Sequence, residues 1–181
     1  MADILLISGS PTASSKSGAL LKYSQNWLHN HSLFDTVLIS VRDFPADDLI
    51  LAKYDSPAFD AFKQHINNTA GIIVSTPIYK AAYTGSLKAL LDILPQYAFR
   101  GKTILPIASG GSLGHLLAID YAIKPVLSTL GASDVLQGIY AVDQQFRTEN
   151  GQPVVAEEIR QRLDESLAQF VASLESRATV R

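Results

Sequence analysis

The stretch "ISGSPTASSKSGAL" (7–20) sets Ser8, Ser10, Thr12, Ser15 and Ser17 around one lysine, directly after the apolar run "DILLIS" (3–8) and ahead of a helical pattern. The chemistry such a loop offers is anion binding. Backbone N–H groups at a helix N-terminus are unpaired and carry partial positive charge, and hydroxyls add donors of their own. Ser10, Thr12, Ser15 and Ser17 together suit a single terminal phosphate. The same residue types also cap helices and build turns, so the loop alone leaves both uses open. Polyphosphate motifs do not fit. Serine stands where a Walker A loop needs its second glycine, and G-x-G-x-x-G is absent.

Two further segments carry unusual chemistry beyond apolar runs. In "TPIYKAAYTG" (76–85) a proline, an isoleucine, Tyr79 and Tyr83 follow "GIIVST" (71–76) and suit a flat aromatic ring, although either tyrosine equally suits a core or an interface. In "SGGSLGH" (109–115) consecutive backbone amides stand clear of side chains, as a ring edge with carbonyl and imide groups requires. A phosphate loop, an apolar ring shelf and an amide-rich edge together describe flavin mononucleotide (FMN).

The elements that must position these loops alternate along the chain. Strands are expected at 3–8, 35–40, 71–76, 102–109 and 134–142, and helices at 15–30, 56–68, 85–94, 115–130 and 155–174. Ser56 and Pro57 mark one helix start. Five strands interleaved with helices predict a parallel sheet covered on both faces, in a single α/β domain over 1–181. Residues 143–153, the most polar and least periodic stretch, read as an exposed loop. In such a sheet ligands sit beyond the carboxyl ends of the strands, which is where all three loops fall.

Composition narrows the partners. A net charge of −2 without a basic stripe argues against nucleic acid or a membrane surface. Having no cysteine excludes disulfides and thiolate chemistry. Hydrophobic residues make up 47% and charged ones only 18%, below the roughly 25% of a typical chain, so an oligomer is expected. "MADILLIS" has no basic n-region and no apolar run reaches a membrane-spanning length, which makes a cytoplasmic location the default.

At these residues the chain resembles the NADPH-dependent FMN reductases, and within them the flavin reductases of two-component alkanesulfonate monooxygenase systems. The resemblance runs through "ISGSPTASSKSGALL", "STPIYKAAYTGSLKALLDILPQ" and "GKTILPIASGGSLGHLLAIDYAIKPVLSTLGA", in that order. It implies a flavodoxin-like three-layer sandwich with a five-stranded parallel sheet in the order 2-1-3-4-5, and assembly into dimers or tetramers. It also implies reduction of FMN by NADPH or NADH, with reduced flavin handed to a partner monooxygenase. By the same resemblance, phosphate contacts fall on Ser8, Ser10, Ser15 and Ser17, ring contacts on Thr76, Pro77, Ile78 and Tyr79, and pyrimidine-edge contacts on Ser109, Gly110 and Gly111. Lys16 stands where relatives often carry arginine.

Pro125 has no N–H to give to the carbonyl of Tyr121, so a widening or kink of the helix is expected there. In the sulfonate-type reductases, which this stretch resembles, an inserted tyrosine makes a π-type turn at a subunit interface and accompanies release of flavin, a role the resemblance gives to Tyr121. The stretch from Leu116 to Ile123, broken only by Asp120, is apolar nearly all round and predicts burial on more than one side. No catalytic acid, base or metal cluster emerges: His29 and His31 lie two apart, His65 sits on a helix, and only His115 adjoins a site loop. Hydride chemistry resides in cofactors and needs none. Two rival readings remain, an FMN-retaining quinone or azo reductase and a flavodoxin-like electron carrier.

Overall fold

Each apolar run bounded by turn residues forms a strand, and the helically spaced segments cover the resulting sheet. The structure, a computed structural model, describes residues 4–179. The elements run β1 (Ile4–Ser8), α1 (Lys16–His31), β2 (Thr36–Ser40), α2 (Ala46–Ile50), α3 (Asp60–Asn68), β3 (Gly71–Tyr79), β4 (Ala82–Tyr83), α4 (Gly85–Asp92) and β5 (Thr103–Gly110). They continue with α5 (Lys124–Thr129), β6 (Asp134–Val135), β7 (Ile139–Val142), β8 (Phe146–Glu149), β9 (Gln152–Val155) and α6 (Glu157–Thr179).

The parallel order is β2-β1-β3-β5, with β6 and β7 sharing the fifth place beside β5. This is the expected 2-1-3-4-5 sheet, with the strand expected at 134–142 broken in two. The break has a local cause. Gly138 adopts φ 89, and a Cβ there would stand 2.7 Å from the Pro106 carbonyl oxygen, so the chain pinches against β5 between the two pieces.

Alternate strand residues feed opposite cores, as the pleat requires. Leu5, Ile7, Ile72 and Val74 face the layer of α2 to α5, while Ile4, Leu6, Ile73 and Leu105 face α1 and α6. The result is the flavodoxin-like three-layer sandwich. Each fully buried aliphatic side chain contributes about 1.5–3 kcal/mol, and both faces of the sheet are lined with them.

Three expected elements differ in form. The helix expected at 56–68 opens as a 3₁₀ turn at Pro57–Phe59 before α3. The one expected at 115–130 is a 3₁₀ turn at Leu113–His115, a π-helical turn at Ile119–Ile123 and then α5. The stretch 143–153 is no loop: a 3₁₀ turn at Asp143–Gln145 leads into the antiparallel hairpin β8–β9, reversed at Asn150 (φ 50) and Gly151 (φ 73). Its polar residues face solvent, which hid the strand period. No helix among the described residues is long and apolar enough to cross a membrane.

Candidate functional site

The serine loop leaves β1 at Ser8, whose neighbours across the sheet are Ser40 and Ser75. The Gly9 N–H donates to the Ser75 carbonyl at 2.7 Å. Ser10 is buried, and its Oγ accepts the Thr12 N–H at 3.2 Å. Ser15 caps α1, its Oγ accepting the Gly18 N–H at 3.0 Å. Ser17 is fully buried, and its carbonyl accepts the Ser75 hydroxyl at 2.8 Å. The serines therefore build and anchor the loop. Thr12, Ala13 and Ser14 face outward, and among the described residues no acceptor meets the amides of Ala13, Ser14 and Ser15. Unpaired amides of this kind, followed by a helix start, fit a phosphate monoester.

The second loop is a hairpin. Ile78 pairs with Tyr83 and Tyr79 with Ala82, and the turn between them holds Lys80 and Ala81 at φ 51 and 66. Thr76 and Ile78 are buried while Tyr79 is 52% exposed, so the outward ring lies at the rim. Thr84 joins this shelf to the serine loop. Its hydroxyl donates to the Gly9 carbonyl and caps α4 through the Leu87 N–H, and its own N–H donates to Thr76 Oγ1 at 3.3 Å.

The third loop continues β5. Ser109 and Gly110 pair with Ala141 and Val142 of β7, and Ser109 also lies beside Pro77. A Cβ on Gly110 would collide with the hydroxyl of Tyr140, whereas one on Gly111 would meet only open space. Tyr140 is buried, and its hydroxyl donates to the Ser112 carbonyl at 2.7 Å. Burial and the nearby Asp143 charge push this phenol above its ordinary pKa, which keeps it a donor. Gly111 is thus an open position of bare backbone.

Around these loops, His115 is exposed at the end of its 3₁₀ turn. The π-helical turn closes with the Lys124 N–H on the Ile119 carbonyl, beside the expected kink, and it holds Tyr121 79% exposed. Only Ala118, Ile119 and Ile123 of the apolar stretch are buried; Leu116 and Leu117 point outward. The expected burial on more than one side is not met within one chain. The Lys16 ammonium pairs with Asp143 at 2.9 Å and lies over the Phe146 ring, tying the serine loop to the β8–β9 hairpin. His29 and His31 end α1, where His31 stacks on Trp27.

Thr84 and Tyr140 escaped the sequence reading. A threonine just ahead of the apolar run of α4 is a readable N-cap signal. Tyr140 carried no signal beyond a place in an apolar strand.

A family model described as NADPH-dependent FMN reductase matches residues 2–147. An "FMN reductase (NADPH)" of Pseudomonas putida is 47% identical over 96% of this chain and 89% of its own length. One of Escherichia coli with the same description is 41% identical over 96% and 91%. Among solved structures, the apo form of an NADH:FMN oxidoreductase (EmoB) superposes with a TM-score of 0.84 at 35% identity, covering 96% of this chain and 90% of that one. A flavodoxin from the Archaea, 11% identical with a TM-score of 0.62, shares the fold. Serine loop, hairpin shelf and glycine edge thus lie on a sheet shared with these flavin reductases, and the chain belongs to the NADPH-dependent FMN reductase family of oxidoreductases.

Proposed function

We propose that this oxidoreductase binds FMN across the three loops, reduces it with NADPH or NADH, and releases the reduced flavin to a partner monooxygenase. The observation that carries the reading is the set of unpaired amides at Ala13, Ser14 and Ser15, aligned through Thr84 with the shelf of Thr76, Pro77, Ile78 and Tyr79. Ser8, Ser10, Ser15 and Ser17 shape the phosphate end, and Ser109, Gly110 and Gly111 present backbone to the pyrimidine edge.

When bound, FMN supplies the hydride chemistry at its own ring. The residues of the three loops contribute position, backbone donors and exclusion of water, and they include no carboxylate. Release is supported by the open rim at Tyr79 and by the exposed Tyr121. The outward face of Leu113, Leu116, Leu117 and Tyr121 supports a homo-oligomer, dimer or tetramer, formed there. A cytoplasmic location fits a partner that takes up reduced flavin.

The test is a visible spectrum of the purified protein, then nicotinamide oxidation with and without added FMN. A nearly colourless protein that oxidises NADPH only when FMN is supplied is the expected result. A yellow protein whose rate ignores added FMN and rises with quinone overturns release.

A further inference from the structure

A concavity of ≈ 620 Å³ extends from the outer side of the serine loop, between α1, β2 and the β8–β9 hairpin. From that loop it takes Ser8, Thr12, Ala13, Ser14, Ser15 and Gly18, so the unpaired amides form one of its walls, but none of the ring-shelf or glycine-edge residues lines it. From α1 it takes Lys22 and Gln25, and from the end of β2 Ser40 and Arg42. No aspartate or glutamate lines it.

Lys16, Lys53, Lys88 and Lys124 each hold a carboxylate within 2.9 Å. Among the described residues, the side chains of Lys22 and Arg42 have no such partner. Two uncompensated cations in one cavity, with hydroxyls and amides between them and no carboxylate, call for an anion. The cavity is too large for a simple phosphate and falls within the roughly 300–1,000 Å³ of small-molecule sites. It also has an apolar side: Leu38 of the edge strand is 39% exposed at its wall, and Pro153 of the hairpin also lines it. Anionic and apolar groups of this extent describe a phosphorylated nucleoside.

We propose that this cavity takes the 2′-phosphoadenosine end of NADPH, with Arg42 and Lys22 on the 2′-phosphate and the adenine between Leu38 and Pro153. The inference rests on the FMN reductase reading. With the flavin ring on the hairpin shelf and its phosphate on the amides at one wall of this cavity, a dinucleotide whose nicotinamide stacks on that ring and whose chain follows the ribityl phosphate enters the rest of the cavity. Arg42 matters more than Lys22, because a guanidinium presents a planar fork to phosphate oxygens. NADH has no 2′-phosphate and gains nothing from either cation.

The test compares kcat/KM for NADPH and for NADH, at saturating FMN, in Arg42→Ala, Lys22→Ala and the double variant. Both side chains are exposed and make no side-chain hydrogen bond or ion pair among the described residues, so the variants keep the wild-type melting temperature. The double variant is expected to lose about tenfold or more with NADPH, through the loss of charge-assisted contacts to the 2′-phosphate, and to stay within about twofold with NADH. Titration of the FMN-loaded protein with 2′,5′-ADP and with 5′-AMP reads the pocket without turnover. Wild type binds 2′,5′-ADP the more tightly, and Arg42→Ala removes the difference. Equal losses with both nicotinamides, an unchanged NADPH constant, or equal binding of the two probes by wild type overturns the pocket and leaves the reductase intact. A wild-type protein that oxidises neither nicotinamide overturns the reductase reading, and the probe titration then decides the pocket by itself.

Discussion

Tyr140 governs the glycine edge from beneath. Its hydroxyl reaches the Ser112 carbonyl 28 residues away and fills the space a side chain on Gly110 would need, so the backbone of Ser109 to Gly111 is held in one position. Tyr140→Phe keeps the buried ring and deletes that bond. A neutral hydrogen bond contributes about 1 kcal/mol, so FMN affinity should fall about fivefold, read as a raised KM for FMN with kcat at saturating FMN unchanged. Flavin fluorescence titration checks it, and an unaltered dissociation constant would mean the loop holds its shape unaided. The residues legible in the sequence were those acting through local chemistry, above all Ser15 as the cap of α1. Thr84, whose hydroxyl meets the Gly9 carbonyl 75 residues away, and Tyr140 act across the fold, and no local pattern announces such contacts.

At the scale of elements, the π-helical turn at Ile119–Ile123 is the least regular segment beside the site. Pro125 withholds an N–H from the Tyr121 carbonyl, and the chain answers with a wider turn closed by Lys124 on Ile119, which pushes Tyr121 to the surface. That irregularity was legible because a proline inside an apolar helical pattern has few outcomes. The β8–β9 hairpin was not: "FRTENGQPVV" alternates too weakly, and only Asn150-Gly151 marks its turn. The broken fifth strand was equally hidden, because the pinch at Gly138 comes from Pro106 on a neighbouring strand. Deleting Tyr121 shortens the wide turn so that the Lys124 N–H meets the Ile119 carbonyl at ordinary α-helical spacing. The expected result is a protein that purifies with more FMN bound and turns over free FMN more slowly. Absorbance of the bound flavin per chain measures this, and unchanged flavin content would remove Tyr121 from the release step.

For the whole molecule, the alternating apolar runs dictated the sheet and its two covering layers, while what ties the C-terminal helix to the far end of the sheet lay beyond the sequence pattern. Asp134, the first residue of β6, accepts the Thr103 hydroxyl at 2.7 Å and the Ser173 hydroxyl at 2.8 Å, and Arg177 of α6 lies 3.2 Å away. Burial alone would raise the Asp134 pKa, but the two hydroxyl donors and the arginine charge outweigh it and hold the carboxyl below its ordinary value. A carboxyl with a depressed pKa in the folded protein contributes stability that is present above its unfolded pKa, about 3.9, and is lost as pH falls through the folded value. Asp134→Asn should therefore cost about 1–3 kcal/mol at neutral pH, and the gap to wild type should narrow as pH drops below about 4. Urea unfolding of both proteins across that range checks it. A gap that keeps its size in acid would show the clamp to work through hydrogen-bond geometry alone, with the charge of Asp134 contributing nothing to the hold on α6.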